Sequence, residues 1–189
     1  MSLRIIAGEL RGRRLLAPPG LETRPLPDRI KQALFDWLGQ SCDGWAVADV
    51  CAGSGSFGFE ALSRGAATLH LIESSRAAVS ILQANLRGLG SPPGVQLHGR
   101  DFRSVLPGLN GLDLIFCDPP FPWFALQPET LSLLLELAAG ALRAGGRLVI
   151  RGERGADLPA LPARLRESAR RSYGRSWVAV LVPVPRRPG

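Results

Sequence analysis

Trp45-Ala46-Val47-Ala48-Asp49-Val50-Cys51-Ala52-Gly53-Ser54-Gly55-Ser56-Phe57-Gly58 is an apolar run that ends near an acid and breaks into a glycine-rich turn. The run from Trp45 to Val50 is short and bounded, as a buried strand is. A helix to about Arg64 follows. Strand, glycine turn and helix together predict a Rossmann-like unit, where backbone N–H groups and a helix N-terminus face a ligand. Gly53, Gly55 and Gly58 have the spacing G-x-G-x-x-G, and Glu73 lies 20 residues beyond Gly53, after a second strand from Ala67 to Ile72. An acid there suits ribose hydroxyls. It also suits capping of the helix that begins near Ser74-Ser75, and the two roles are compatible. The pattern predicts an α/β fold that holds a nucleoside-containing cofactor. Asp49 narrows the choice. An acid before the glycines repels a pyrophosphate and welcomes a cationic ligand, which favours S-adenosylmethionine over NAD.

Downstream, a helix from Arg76 to Leu86 packs Val79, Leu82 and Leu86 and closes at Gly88 and Gly90. Val95 to His98 is a third strand. Asp101 after it is placed for an adenine amino group with Phe102 against the ring, or as the N-cap of a short helix to Leu106. Leu112 to Cys117 is a fourth strand, and it runs straight into Asp118-Pro119-Pro120-Phe121. Strand C-termini in α/β sheets are where ligands bind.

The chemistry of this motif is specific. Prolines lack N–H donors, so their carbonyls are not bound into a ladder. Asp118 and the Pro119 carbonyl can accept hydrogen bonds from an exocyclic –NH2 group while Phe121 stacks on the ring that carries it. Holding both N–H groups from one side favours a pyramidal nitrogen whose lone pair points the other way, at a methyl donor. The alternative is a strand-ending turn with Asp118 as a cap and Phe121 in the core. Pro122-Trp123-Phe124 extends an aromatic loop, read as a lid over the base. A helix from Glu129 to Leu142 and a strand from Gly145 to Ile150 follow, with Glu153 just past the strand's end. Residues 155–163 read as irregular, and Arg170 to Tyr173 with Ser176 to Val184 as a closing hairpin around Gly174.

Upstream, Leu3 to Gly8 and Arg13 to Ala17 are short strand candidates joined by a turn with Gly8, Arg11 and Gly12. Pro18-Pro19-Gly20 breaks the pattern. A helix spans Asp28 to Leu38, with Ile30, Leu34, Phe35, Trp37 and Leu38 at helical spacing. The arginine-studded hairpin and its neighbours, Arg4, Arg11, Arg13, Arg14, Arg24 and Arg29, read as RNA contacts, or as an edge hairpin with solvated charges. The formal charge of +7 is uneven. Residues 1–31 carry seven basic and three acidic groups, and residues 164–189 seven and one. The middle carries nine and twelve. Two basic ends on an acidic centre suit a catalytic body that meets nucleic acid. Cys42, Cys51 and Cys117 are scattered and accompanied by only two histidines, which argues against a zinc site and for a reducing cytoplasm. Met1-Ser2-Leu3-Arg4 does not read as a signal peptide, and no apolar run reaches a membrane span. The 189 residues are expected to form one domain, residues 1–26 as a hairpin arm and 27–189 as the catalytic body. No metal is expected, and a monomer is.

These residues resemble the RsmD family of bacterial methyltransferases. The resemblance rests on Arg4-Ile5-Ile6-Ala7-Gly8, Arg11-Gly12-Arg13, Arg24-Pro25, Asp28-Arg29-Ile30, Asp49 to Gly55, Glu60 to Ala66 and Asp118 to Phe121. It covers nearly the whole chain, and the N-terminal set is its specific part. It implies a class I S-adenosylmethionine-dependent methyltransferase fold: a seven-stranded, mostly parallel sheet with an antiparallel last strand and helices on both faces. It implies methylation of guanine N2 in 16S ribosomal RNA, with the small subunit or its assembly intermediate as partner. It implies a cofactor site of Asp49, Ala52, Gly53, Ser54, Gly55, Glu73, Ser74, Asp101 and Phe102, and catalysis by Asp118, Pro119, Pro120 and Phe121. Leu26 stands where the family usually has Thr, and Cys51 where an aromatic residue is common, so altered contacts are expected there. An adenine-N6 methyltransferase on DNA or RNA is the nearest rival, a nicotinamide oxidoreductase a further one, and an RNA-binding assembly factor the non-enzymatic alternative.

Overall fold

The computed structural model describes residues 3–17 and 28–185. The expectations for Pro18-Pro19-Gly20, Arg24, Pro25 and Leu26 lie outside them. The main sheet has seven strands, and a separate two-stranded sheet lies near the N-terminus. Residues 1–101 and 102–189 form two compact units.

The first unit contains β1 (Leu3–Arg4), β2 (Arg14–Leu15), α1 (Asp28–Leu38), β3 (Ala46–Val50), α2 (Ser56–Ser63), β4 (Thr68–Ile72), α3 (Arg76–Gly88) and β5 (Val95–His98). Strands β3, β4 and β5 are parallel, with Val50 opposite Ile72 and Ile72 opposite His98. Val47, Ala48, Val50, Leu69 and Leu71 are fully buried, as expected of strands covered on both faces. Helix α3 differs from expectation. It buries Ala78, Leu82 and Asn85, while Val79 and Leu86 are half-buried. Asn85 is buried because it serves three backbone groups. Its Oδ1 accepts the Leu16 N–H (2.7 Å) and its Nδ2 donates to the Leu16 and Ser54 carbonyls (3.0 and 2.9 Å).

The second unit contains α4 (Phe102–Val105), a 3-10 turn (Leu106–Gly108), β6 (Leu112–Cys117), α5 (Pro122–Leu126), α6 (Pro128–Ala141), β7 (Leu142–Glu153), β8 (Leu165–Tyr173) and β9 (Ser176–Pro183). Strands β6 and β7 are parallel, and β9 runs antiparallel to both β7 and β8. The full strand order is β5-β4-β3-β6-β7-β9-β8. The aromatic stretch after the motif is the short helix α5, since Pro122 starts a turn in which the Trp123 N–H donates to the Pro120 carbonyl (2.9 Å). Strand β8 begins at Leu165, earlier than its polar sequence suggests, because β9 supplies ladder partners from Leu165–Pro183 to Tyr173–Ser176, with one register shift between Glu167 and Ala169.

The N-terminal hairpin is docked, and its strands are only two residues each. So short a pair has no stability of its own, and the body of the first unit supplies what is missing. Leu3, Ile5 and Leu15 are buried. The fully buried carboxylate of Glu60 on α2 accepts the N–H groups of Ile6 (2.9 Å) and Ala7 (3.0 Å). It also pairs with Lys31 on α1 (3.1 Å) and Arg64 (3.0 Å). Lys31 sits where the helical pattern marks no core position, while Trp37 is only half-buried. Its Nζ donates to the Arg4 carbonyl at 2.6 Å, tying β1 to α1. Burial pushes the Lys31 ammonium below its ordinary pKa, and Glu60 opposes the shift. Gly8 lies against α2 so closely that a Cβ would meet the Ser63 carbonyl oxygen.

Glu60→Ala removes one partner of a buried ionic cluster and leaves Lys31 uncompensated. We expect a loss of about 3–5 kcal/mol in urea unfolding, with faster hydrogen exchange at the Ile6 and Ala7 amides.

A half-buried histidine pair couples β4 to β5. His70 Nδ1 lies 3.1 Å from His98 Nε2 with the rings stacked. Burial, then the neighbouring His98, lowers the His70 pKa; burial, then Arg100, lowers that of His98. As pH falls below about 6.5, the ordinary histidine value, the unfolded chain binds protons that the folded chain refuses. Stability should therefore fall from that pH downward until the folded pair titrates. Denaturant midpoints across pH 7.5 to 5 should show this decline, and His70→Asn/His98→Asn should flatten it.

Candidate functional site

In the first unit the glycine turn joins β3 to α2. Cys51 leaves β3 at φ +59°, a left-handed conformation that L-residues seldom adopt. The Ala52 N–H then donates to the Ile72 carbonyl (3.2 Å), and the Gly53 N–H to Glu73 Oε2 (2.9 Å). Gly53 has φ +56° with open space where a Cβ would stand, so the turn presents bare backbone to whatever approaches it. Glu73 Oε1 accepts the Ser75 N–H at 2.8 Å. The capping reading of Glu73 is seen in this contact. The side chain fixes the glycine turn and the loop into α3, and a carboxylate with about four acceptor positions keeps two of them. Glu73 is half-buried and Ser74 exposed.

Asp49 is deeper, at 2% exposure. Its Oδ2 accepts the Gly58 N–H (2.8 Å) in the first turn of α2, where a carboxylate also meets the positive end of the helix dipole. A Cβ on Gly58 would press on Leu69, Leu71 and this oxygen, so the third glycine of the pattern serves close helix–strand packing. Asp101 is half-buried just before α4.

In the second unit, β6 delivers Asp118 to its C-terminal end. Arg151, at the end of β7, grips it as a fork: Nε to Oδ1 at 2.8 Å and Nη2 to Oδ2 at 2.7 Å. The Arg151 side chain is 6% exposed and that of Asp118 28%. The same guanidinium stands 5.1 Å from the centre of the Phe121 ring. The Pro120 carbonyl is consumed by the turn into α5, whereas no hydrogen bond to the Pro119 carbonyl is found among the described residues. Phe124 packs edge-on against Trp177 of β9, whose ring lies over Gly152. Phe102 is buried against Trp123 and beneath Arg103. A separate groove lined by Arg143, Gly145, Arg164, Arg166 and Pro183 opens where β7 begins, and it contains none of the expected site residues.

Arg151 and Trp177 escaped the sequence reading. Arg151 had a signal: a cation that closes the apolar run Leu148-Val149-Ile150 has to find a partner once its strand is buried. Of the hairpin arginines, Arg4 pairs with Asp28 (2.8 Å) and Arg13 donates to the Gly88 carbonyl (2.6 Å). Arg11, Arg14 and Arg29 are exposed.

Sheet order and glycine turn define a class I methyltransferase. The chain matches, over residues 3–182, the family model described as "Conserved hypothetical protein 95". It is 35% identical to ribosomal RNA small subunit methyltransferase D of Escherichia coli, over 85% of this chain and 80% of that one. It is 31% identical to YlbH of Bacillus subtilis over 94% of this chain and 97% of that one. The solved structure of Escherichia coli yhhF superposes with a TM-score of 0.82 at 30% identity, covering 97% of this chain and 98% of that one. The chain belongs to this family, the RsmD family of methyltransferases. Among the described residues no helix is long and apolar enough to cross a membrane.

Glu73→Ala removes the acceptor that the sequence reading assigns to a ribose and frees the Gly53 amide. We expect calorimetry to show S-adenosylmethionine binding weakened by about 1.5–3 kcal/mol, the worth of hydrogen bonds to a charged group. Unchanged affinity would remove Glu73 from the cofactor site.

Proposed function

We propose that this protein methylates the exocyclic N2 of a guanine in 16S ribosomal RNA, with S-adenosylmethionine as donor and the small subunit or its assembly intermediate as substrate. The observation that carries the reading is the acceptor pair at the end of β6: a part-exposed Asp118 carboxylate beside a Pro119 carbonyl with no hydrogen bond among the described residues. The rRNA methyltransferase named among its relatives supports the RNA substrate.

The residues of the first unit fit the cofactor. Gly53 offers open backbone, Glu73 keeps acceptor positions for ribose hydroxyls, and Asp101 suits the adenine amino group. Ala52, Ser54 and Ser74 frame that turn. Asp49 supports it from below by capping α2. The bound cofactor supplies an electrophilic methyl group on a sulfonium.

The second unit prepares the nucleophile. An aryl amine is a weak nucleophile because its lone pair is delocalised into the ring. Asp118 and the Pro119 carbonyl each accept one N–H, which draws the nitrogen towards a pyramidal shape and aims its lone pair away from the protein acceptors. Phe121, held over Arg151, offers the base a stacking surface. Catalysis on this reading is alignment and hydrogen-bond acceptance, without a strong base. Of the N-terminal arginines, exposed Arg11, Arg14 and Arg29 are available for RNA phosphates.

Asp118→Ala should fold and bind S-adenosylmethionine as the parent does, while single-turnover methyl transfer to small-subunit rRNA slows roughly 10²–10³-fold. If Asp118 were only a turn cap, the melting temperature would drop and transfer per folded molecule would stay parental.

A further inference from the structure

We infer that Arg151 is a positioning residue for methyl transfer, acting through Asp118; the inference rests on the reading of the β6 motif given above. The guanidinium takes one acceptor position on each Asp118 oxygen, at 2.8 and 2.7 Å. A two-point fork fixes the plane of a carboxylate as well as its place, which a single ammonium contact does not. Asp118 follows the strand end at Cys117 and precedes two prolines, so few other groups restrain its side chain. With the edge facing Arg151 filled, the positions left on Asp118 point outward. A guanine presents N1–H and N2–H side by side. The filled edge cannot receive both at once, so Asp118 takes a single N–H, from the amine that reacts.

The backbone explains why the fork is rigid. Ile150 lies opposite Cys117 in the parallel β6–β7 ladder, so the next residue on each strand, Arg151 and Asp118, emerges side by side. Arg151 also lies opposite Val178 in the β7–β9 ladder, which anchors its backbone on the other side. The guanidinium is nearly closed to solvent and stands near the Phe121 ring. These features favour a fixed strut. An exposed arginine would be free to leave Asp118 for an RNA phosphate; this one is packed in place.

The test is a double-mutant cycle on the full chain, with small-subunit rRNA and S-adenosylmethionine. Arg151→Met keeps the approximate volume, and Arg151→Lys keeps the charge but not the fork. Both should bind S-adenosylmethionine with parental affinity. Arg151→Met should lose roughly 10²-fold or more in single-turnover rate, on the scale of an aligned transition-state contact, with KM for RNA within about threefold of the parent, a small change on a free-energy scale. Arg151→Lys should recover only a minor part of that loss. Added guanidinium ion at non-denaturing concentration should speed Arg151→Met and leave the parent unchanged. In the double variant Asp118→Ala/Arg151→Met the rate should equal that of Asp118→Ala alone, because a residue that acts through Asp118 has nothing left to position.

Multiplying defects in the double variant, or parental turnover per folded Arg151→Met molecule with only a lower melting temperature, would overturn the inference and leave Arg151 a structural ion-pair partner. If Arg151→Met does not fold, Arg151→Lys decides alone, and parental turnover in it overturns the inference. A different outcome would strike the functional reading itself: a parent that transfers no methyl group to rRNA, or an Asp118→Ala variant as fast as the parent.

Discussion

The carboxylate of Asp49 is the constraint on which the glycine turn depends. It lies one residue before the end of β3 and at 2.8 Å holds the first turn of α2 through the Gly58 N–H. That contact requires the helix to approach the strands closely, which only a glycine at position 58 permits. With both ends of the turn pinned, the five residues Cys51 to Gly55 must connect them. The chain manages this by a left-handed Cys51 and by Gly53, whose N–H meets Glu73 at the end of β4. The parallel register of β3 and β4 brings that acid within reach, since Val50 and Ile72 are partners. The cofactor cradle of the proposed reading is therefore a consequence of strand register and one buried acid.

Much of this was legible in the sequence because the periodic signals are local. Helix α1 runs from Asp28 to Leu38 and strand β6 from Leu112 to Cys117 as their apolar spacing and bounding residues predict. The parts that were not legible depend on partners distant in the chain. Nothing near Asn85 or Lys31 says that a hairpin around 70 and 27 residues away supplies their hydrogen bonds. Strand β8 reads as half polar because it is an outer strand, and its extent is set by β9. Arg151 could be seen as an anomaly at the end of an apolar strand, but its partner could not be named without the β6–β7 register.

The hairpin shows how docking alters the meaning of charge. Read alone, its arginines are an RNA-facing arm. In place, Arg4 and Arg13 make intramolecular contacts that tie the segment to Asp28 and Gly88. An exposed ion pair such as Arg4–Asp28 is worth little, and the Arg13–Gly88 hydrogen bond is exposed too, so the docking itself comes from Ile5, Leu15, Glu60 and Asn85. Arg4 and Arg13 remain exposed like Arg11, Arg14 and Arg29, and their contacts hold these two charges on the docked surface. A fixed set of charges loses less conformational entropy on meeting a phosphate backbone than a loose arm does.

Four carboxylates organise the chain, and burial separates their roles. Asp49 and Glu60 are at most 2% exposed and are served by N–H groups and cations. Their acceptor atoms are engaged inside the fold, and their removal leaves buried donors unserved. Glu73 and Asp118 are also bonded, each at both oxygens, yet each keeps a part of its surface open. The bonds they already make orient the acceptor positions that remain. A free carboxylate at a strand end would rotate and would have to be ordered as the ligand arrived, at the ligand's expense in affinity or rate. Glu73 is ordered by the Gly53 and Ser75 amides, and Asp118 by a single guanidinium. On the proposed reading, that difference makes Asp118 the more vulnerable of the two. The backbone amides that hold Glu73 survive any substitution other than one to proline, whereas the support of Asp118 resides in one replaceable side chain.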